Sequence, residues 1–167
     1  MKTGMQLCPD CRFLYHSDNR VPCLCCDSTH LTLPTSENLV GIISRLLDMG
    51  IDVVSGNCEV HDSYDDIKGY IGKTVQITIE LEKLYPTEML DGLPPDWVMY
   101  EYHTVANNQI GSAYSAFAHV DSFLNSKDGD DELEFATMVT VSNFETYLDD
   151  KDPESFWSVW KLAGILL

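Results

Sequence analysis

Lys73-Thr74-Val75-Gln76-Ile77-Thr78-Ile79-Glu80-Leu81-Glu82-Lys83-Leu84 alternates apolar and polar residues almost without a break. Side chains of a strand point to opposite faces at successive residues, so Val75, Ile77, Ile79 and Leu81 make one buried face. Thr74, Gln76, Thr78, Glu80 and Glu82 make the wet one. Upstream, Ile51 to Val60 predicts a strand interrupted at Ser55-Gly56-Asn57. Downstream, the turn Leu93-Pro94-Pro95-Asp96 feeds a third strand over Trp97–Val105. Strands that follow one another with no helix between them pair as a mixed or antiparallel sheet. The expected class is therefore α+β, with about four strands packed with helices, rather than a doubly wound fold.

Around that sheet the pattern changes period. Leu39, Ile42, Ile43, Leu46 and Leu47 recur at the spacing of a helix with one buried face. Thr35 and Ser36 stand where capping hydroxyls are expected, and Gly50 stands where a helix ends. Ile110, Ala113, Tyr114, Phe117, Val120 and Leu124 predict a second helix over Asn107–Asn125. An acidic loop, Lys127-Asp128-Gly129-Asp130-Asp131, then leads to an expected strand over Glu132–Val141 and a short helix from Ser142 to Asp149. Asp152-Pro153-Glu154-Ser155 has the residues of a helix start, and the last helix carries Phe156, Trp157, Trp160 and Ala163. The expected organisation is a small module with its linker over residues 1–34, the linker spanning His30 to Pro34, and an acidic α+β domain over 35–167.

The small module rests on cysteine spacing. Cys8-x2-Cys11 and Cys23-x2-Cys26 stand either side of an eleven-residue gap. A Cys-x-x-Cys turn brings two sulfurs within reach of one ion, and two such turns close a tetrahedral four-thiolate site. Cys25 offers a second register, and His16 and His30 are alternative ligands. Five of the six cysteines lie between residues 8 and 26, with Cys58 alone outside, which suits metal binding better than disulfide stapling. The segment resembles zinc-ribbon modules with rubredoxin-like knuckles. That resemblance covers about twenty residues and implies a structural zinc ion, since catalytic zinc keeps a position open for water. The N-terminus lacks the apolar core of a secretory signal, so a reducing, cytoplasmic location is expected.

Charge is the other strong signal. Ten Lys and Arg face 27 Asp and Glu, a formal charge of -17. Residues 1–34 are balanced, and the run from Tyr85 to Trp160 holds fifteen acids against two bases. Such a surface repels nucleic acid and anionic membrane and attracts basic proteins over a Debye length of ~8 Å. The composition is similar to that of nucleic-acid-mimicking inhibitors and of immunity proteins against nuclease toxins. It implies a non-enzymatic binder or inhibitor of a basic, nucleic-acid-handling protein. Asp128, Asp130, Asp131, Glu132, Asp149, Asp150 and Trp157 are the candidate contacts. The rival readings are an adaptor whose ribbon docks on transcription or translation machinery through Arg12 or Arg20, and a hydrolase built on His61, His103 and nearby acids. Asp128-x-Asp130-x-Glu132 departs from a calcium loop in its glycine position and reads as a solvated turn. No phosphate-binding glycine loop, G-x-S-x-G elbow or H-E-x-x-H motif is present.

Overall fold

The computed structural model of the protein describes residues 4–16, 22–65, 70–85, 92–104, 109–123 and 128–151. Strands β1 (Met5–Leu7), β2 (Leu14–His16) and β3 (Leu33–Pro34) form a small sheet in the order β2-β1-β3. The expected linker thus contributes a strand, because Leu33 and Pro34 pair antiparallel with Leu7 and Gln6.

A single 3-10 turn (Glu37–Leu39) runs into α1 (Val40–Asp48). Ser36 occupies the cap position without capping the helix. Its hydroxyl instead accepts the Cys58 backbone N–H at 3.0 Å, which ties the helix start to the neighbouring strand. Gly50 ends α1 as expected. Its φ of 77° suits a residue without Cβ, and Ile51 N–H reaches back to the Leu46 carbonyl at 3.0 Å.

The larger sheet is antiparallel throughout, in the order β4-β5-β7-β6: β4 (Val53–Asp65), β5 (Tyr70–Leu81), β6 (Trp97–Thr104) and β7 (Gln109–Phe123). Val75, Ile77, Ile79 and Leu81 of β5 are fully buried, as their alternation predicts. They face α1 and a long helix α2 (Asp128–Asp149), which both pack on this side of the sheet around Ile42, Ile43, Leu46, Leu133, Phe144 and Leu148. The interruption expected at Ser55-Gly56-Asn57 is only a register irregularity between Val53 and Ser55. Gly56 is a point of close approach. A Cβ there would stand 2.5 Å from Ile43 Cδ1, so the missing side chain lets α1 lie on the sheet.

Two elements differ in kind from their sequence pattern. Asn107–Asn125 holds strand β7 rather than a helix. Tyr114, Ala116 and Ala118 line its inner face, opposite Ile79, Ile77 and Val75. Asp128–Asp131 of the acidic loop, the strand over Glu132–Val141 and the short helix from Ser142 are all one helix, α2. Its buried residues Leu133, Thr137, Val141, Phe144 and Leu148 recur at helical spacing. The helix expected from Asp152, with Trp157, lies outside the described residues.

Candidate metal centre

The chain reverses twice at its cysteine pairs, and the two reversals are built alike. Cys8 N–H donates to Phe13 O at 2.9 Å, and Cys8 O accepts from Arg12 N–H at 3.0 Å. Fifteen residues on, Cys23 N–H donates to Ser28 O and Cys23 O accepts from Asp27 N–H, both at 2.8 Å. The residue after the second cysteine has left-handed backbone in each: Arg12 at φ 63° and Asp27 at φ 56°. This repeat fixes the register of the second turn, because it equates Cys26 with Cys11 and leaves Cys25 inside the turn. Cys25 is exposed, and its N–H points at the Cys23 sulfur at 3.4 Å.

These reversals bring the Sγ atoms of Cys8, Cys11, Cys23 and Cys26 within 4.8 Å of one another. Cys8 and Cys26 are 3.8 Å apart, and Cys11 and Cys23 3.6 Å. A disulfide requires about 2.05 Å, so these are not bonded pairs. A tetrahedral ion with metal–sulfur bonds of about 2.3 Å sets its sulfurs about 3.8 Å apart, close to the spacing of these two pairs. The residues present fit a metal ion. All four corners are protein sulfurs, and the ligand cluster contains no histidine among the described residues.

The surroundings favour thiolate at one corner. Burial acts to raise the Cys23 thiol, but the Tyr15 hydroxyl, the Cys25 and Cys26 backbone N–H groups and the Cys11 thiol bring it down to about 6. Tyr15 is pushed up to about 12 by its bond to Cys23 and by burial, and it also accepts Leu24 N–H at 2.9 Å. At Cys11 a backbone bond from Phe13 favours the thiolate, but burial and the neighbouring thiols overcome it and push this thiol up. Four adjacent thiols cannot all ionise without a cation, and a metal that binds them displaces their protons.

Outside the cluster, His30 Nδ1 lies 2.8 Å from Asp10 Oδ2, and Ser28 Oγ donates to the same oxygen. Asp10 is thus a bridge between the two turns, and its carboxyl is held below the usual range by the Ser28 and His30 bonds. The serine bonds the acid rather than the imidazole, so this is no nucleophile–base pair. His16 ends β2, exposed and opposite Met5.

The structure separates the histidines proposed for hydrolysis. His61 lies on edge strand β4, in the row of Thr74 and His119. His103 lies on the other edge, β6, opposite Ile110. That is three strand spacings across the sheet, about 14 Å, and about 30 Å along it. Direct proton transfer needs ~2.6–3.2 Å or one bridging water, so these two residues share no site.

Six of the candidate partner contacts lie on α2 or immediately after it. Asp128, Asp130, Asp131 and Glu132 form its first turn, replacing the expected solvated turn, and Asp149 and Asp150 stand at its end. Asp130 pairs with Lys73, and Asp149 takes Arg45 on both oxygens at 2.7 and 3.3 Å. A cavity of about 430 Å³ opens beside the helix start, and among the described residues Glu37, Asp130 and Glu134 are the ionisable ones in its lining. Two features of the centre escape a reading by spacing: the Tyr15 donor and the Asp10 bridge. Comparison of the chain with protein families, with curated proteins and with solved structures yields no match.

Proposed function

We propose that the protein is a zinc-stabilised, non-enzymatic binding module for a basic protein, of the kind that handles nucleic acid and is restrained by a carboxylate surface. Zinc suits the four thiolates, and a centre closed by four sulfurs has no position for water or substrate, so its contribution is stability. The carrying observation is the charge of α2. From Asp128 to Asp150 the chain has eight carboxylates and not one Lys or Arg.

The cations support the same reading. Among the described residues Arg12 pairs with Asp48, Arg45 with Asp149 and Glu145, Lys73 with Asp130 and Lys83 with Asp52. Lys151 lies over the Tyr147 ring, 4.6 Å from its centre. Each described Lys and Arg is thus engaged within the chain. The pairing of Arg12 also weakens the rival reading in which a basic ribbon docks on nucleic-acid machinery.

The test is capture of partners from the native cell on immobilised protein, at rising salt. The expected result is retention of basic proteins that falls as salt screens the carboxylates. Retention indifferent to salt, or of acidic proteins only, would overturn the reading.

A further inference from the structure

α2 carries apolar residues on the side turned away from the sheet. Phe135 is 68% exposed, Met138 58% and Val139 43%. At positions i, i+3 and i+4 they form one ridge. The core-facing residues, Leu133, Thr137, Val141, Phe144 and Leu148, lie on the opposite side. Helix surfaces bury such ridges in the grooves of another helix, and here no described element does so.

The charges around the ridge define what would cover it. Asp131, Glu132 and Glu134 are exposed, and no ion pair among the described residues engages them. Asp150 is exposed at the far end. The helix macrodipole accounts for acids in the first turn, but it opposes acids in the last, where α2 has no base. Solubility would account for carboxylates, but not for a ridge of Phe, Met and Val among them. A second copy of the chain would set carboxylates against carboxylates, which penalises association.

We infer that the outer face of α2 is a docking site for a basic amphipathic helix, whose apolar residues pack on Phe135, Met138 and Val139 and whose Lys or Arg residues meet Asp131, Glu132 and Glu134. The inference rests on the proposed reading of a basic partner and gives it a surface. At 22 residues and 1.5 Å per residue α2 is about 33 Å long, enough for a partner of four to five turns. Binding then has two parts: a long-range attraction that salt removes, and a short-range apolar contact that salt leaves.

The probes are two labelled synthetic peptides of identical Lys/Leu composition, followed by fluorescence anisotropy with the full chain. In one the leucines fall on one helical face; in the other they are scrambled. The expected result is at least tenfold tighter binding of the amphipathic peptide, and at least a tenfold loss with Phe135→Ser/Met138→Ser, a variant of unchanged charge. Both side chains are exposed, and an unaltered circular dichroism spectrum shows that the variant is folded. Should the variant misfold, Val139→Lys tests the same face with the same expected loss. If wild type binds both peptides equally and the variant matches it within twofold, the helix-face site is overturned while the basic-partner reading stands. If neither peptide binds at low salt, both fall. Sedimentation showing a dimer that Phe135→Ser/Met138→Ser dissolves would assign the face to a second copy and overturn the site.

Discussion

Arg12 and Asp27 take left-handed backbone at the same step of two matched turns, and that correspondence decides which cysteines are ligands. A left-handed residue other than glycine costs roughly 1–2 kcal/mol, less for Asp, so both turns accept strain to aim their sulfurs inward. The ligands themselves were legible from Cys-x2-Cys spacing. Spacing already favoured Cys26, whose two-residue interval from Cys23 repeats the first knuckle, but it left Cys25 as a second register that only backbone direction removes. The choice has a chemical consequence. With metal bound, alkylation should modify Cys25 alone, since Cys8, Cys11, Cys23 and Cys26 hold the ion. Cys58 is buried, and that burial pushes its thiol up to about 11. Peptide mass spectrometry reads this directly. Modification of Cys26 with protection of Cys25 would reverse the assignment.

At the scale of elements, β5 and α1 were legible because each follows one period strictly. β7 was not. Its inner face, Tyr114, Ala116 and Ala118, has the period of a strand, but Ala113 and Phe117 on the outer face complete a helical pattern too, and alanine favours helices. Strand pairing on both sides wins over that local preference. In α2 the error runs the other way. Leu133, Phe135, Thr137, Val139 and Val141 alternate like a strand because Phe135 and Val139 are apolar on an exposed face. The residues that spoil the helical period are those assigned above to docking, which is where sequence logic is expected to fail.

The inner face of the same helix has a structural task. Phe144 stacks on Trp97 with ring centres 4.2 Å apart and meets Tyr114 edge-on at 4.9 Å, while Trp97 Nε1–H donates to Thr140 O at 3.0 Å. Phe144→Ala should cost about 3–5 kcal/mol in denaturant unfolding. Phe135→Ala, on the outer face, should cost under about 1 kcal/mol. Equal losses would mean that the two faces of α2 have been exchanged.

In the whole molecule the metal turns and the acidic body are joined by packing as well as by chain. Leu7, next to the first ligand, is fully buried in the same core as α1 and the large sheet. Thr35 N–H donates to Met5 O at 3.0 Å, and Arg12 reaches Asp48 at the end of α1. The α+β class and three strands of the large sheet followed from strand succession in the sequence, whereas the fourth, β7, did not. This junction did not, since contacts between segments far apart in the chain leave no local period. Through it, metal bound at Cys8 and Cys11 bears on how β1 seats against the body. X-ray absorption at the zinc edge, on protein purified without chelator, measures both the ion's presence and its ligands. One zinc per chain with four sulfurs at about 2.3 Å is the predicted result. A chain free of metal, or a shell containing nitrogen or oxygen, would contradict it.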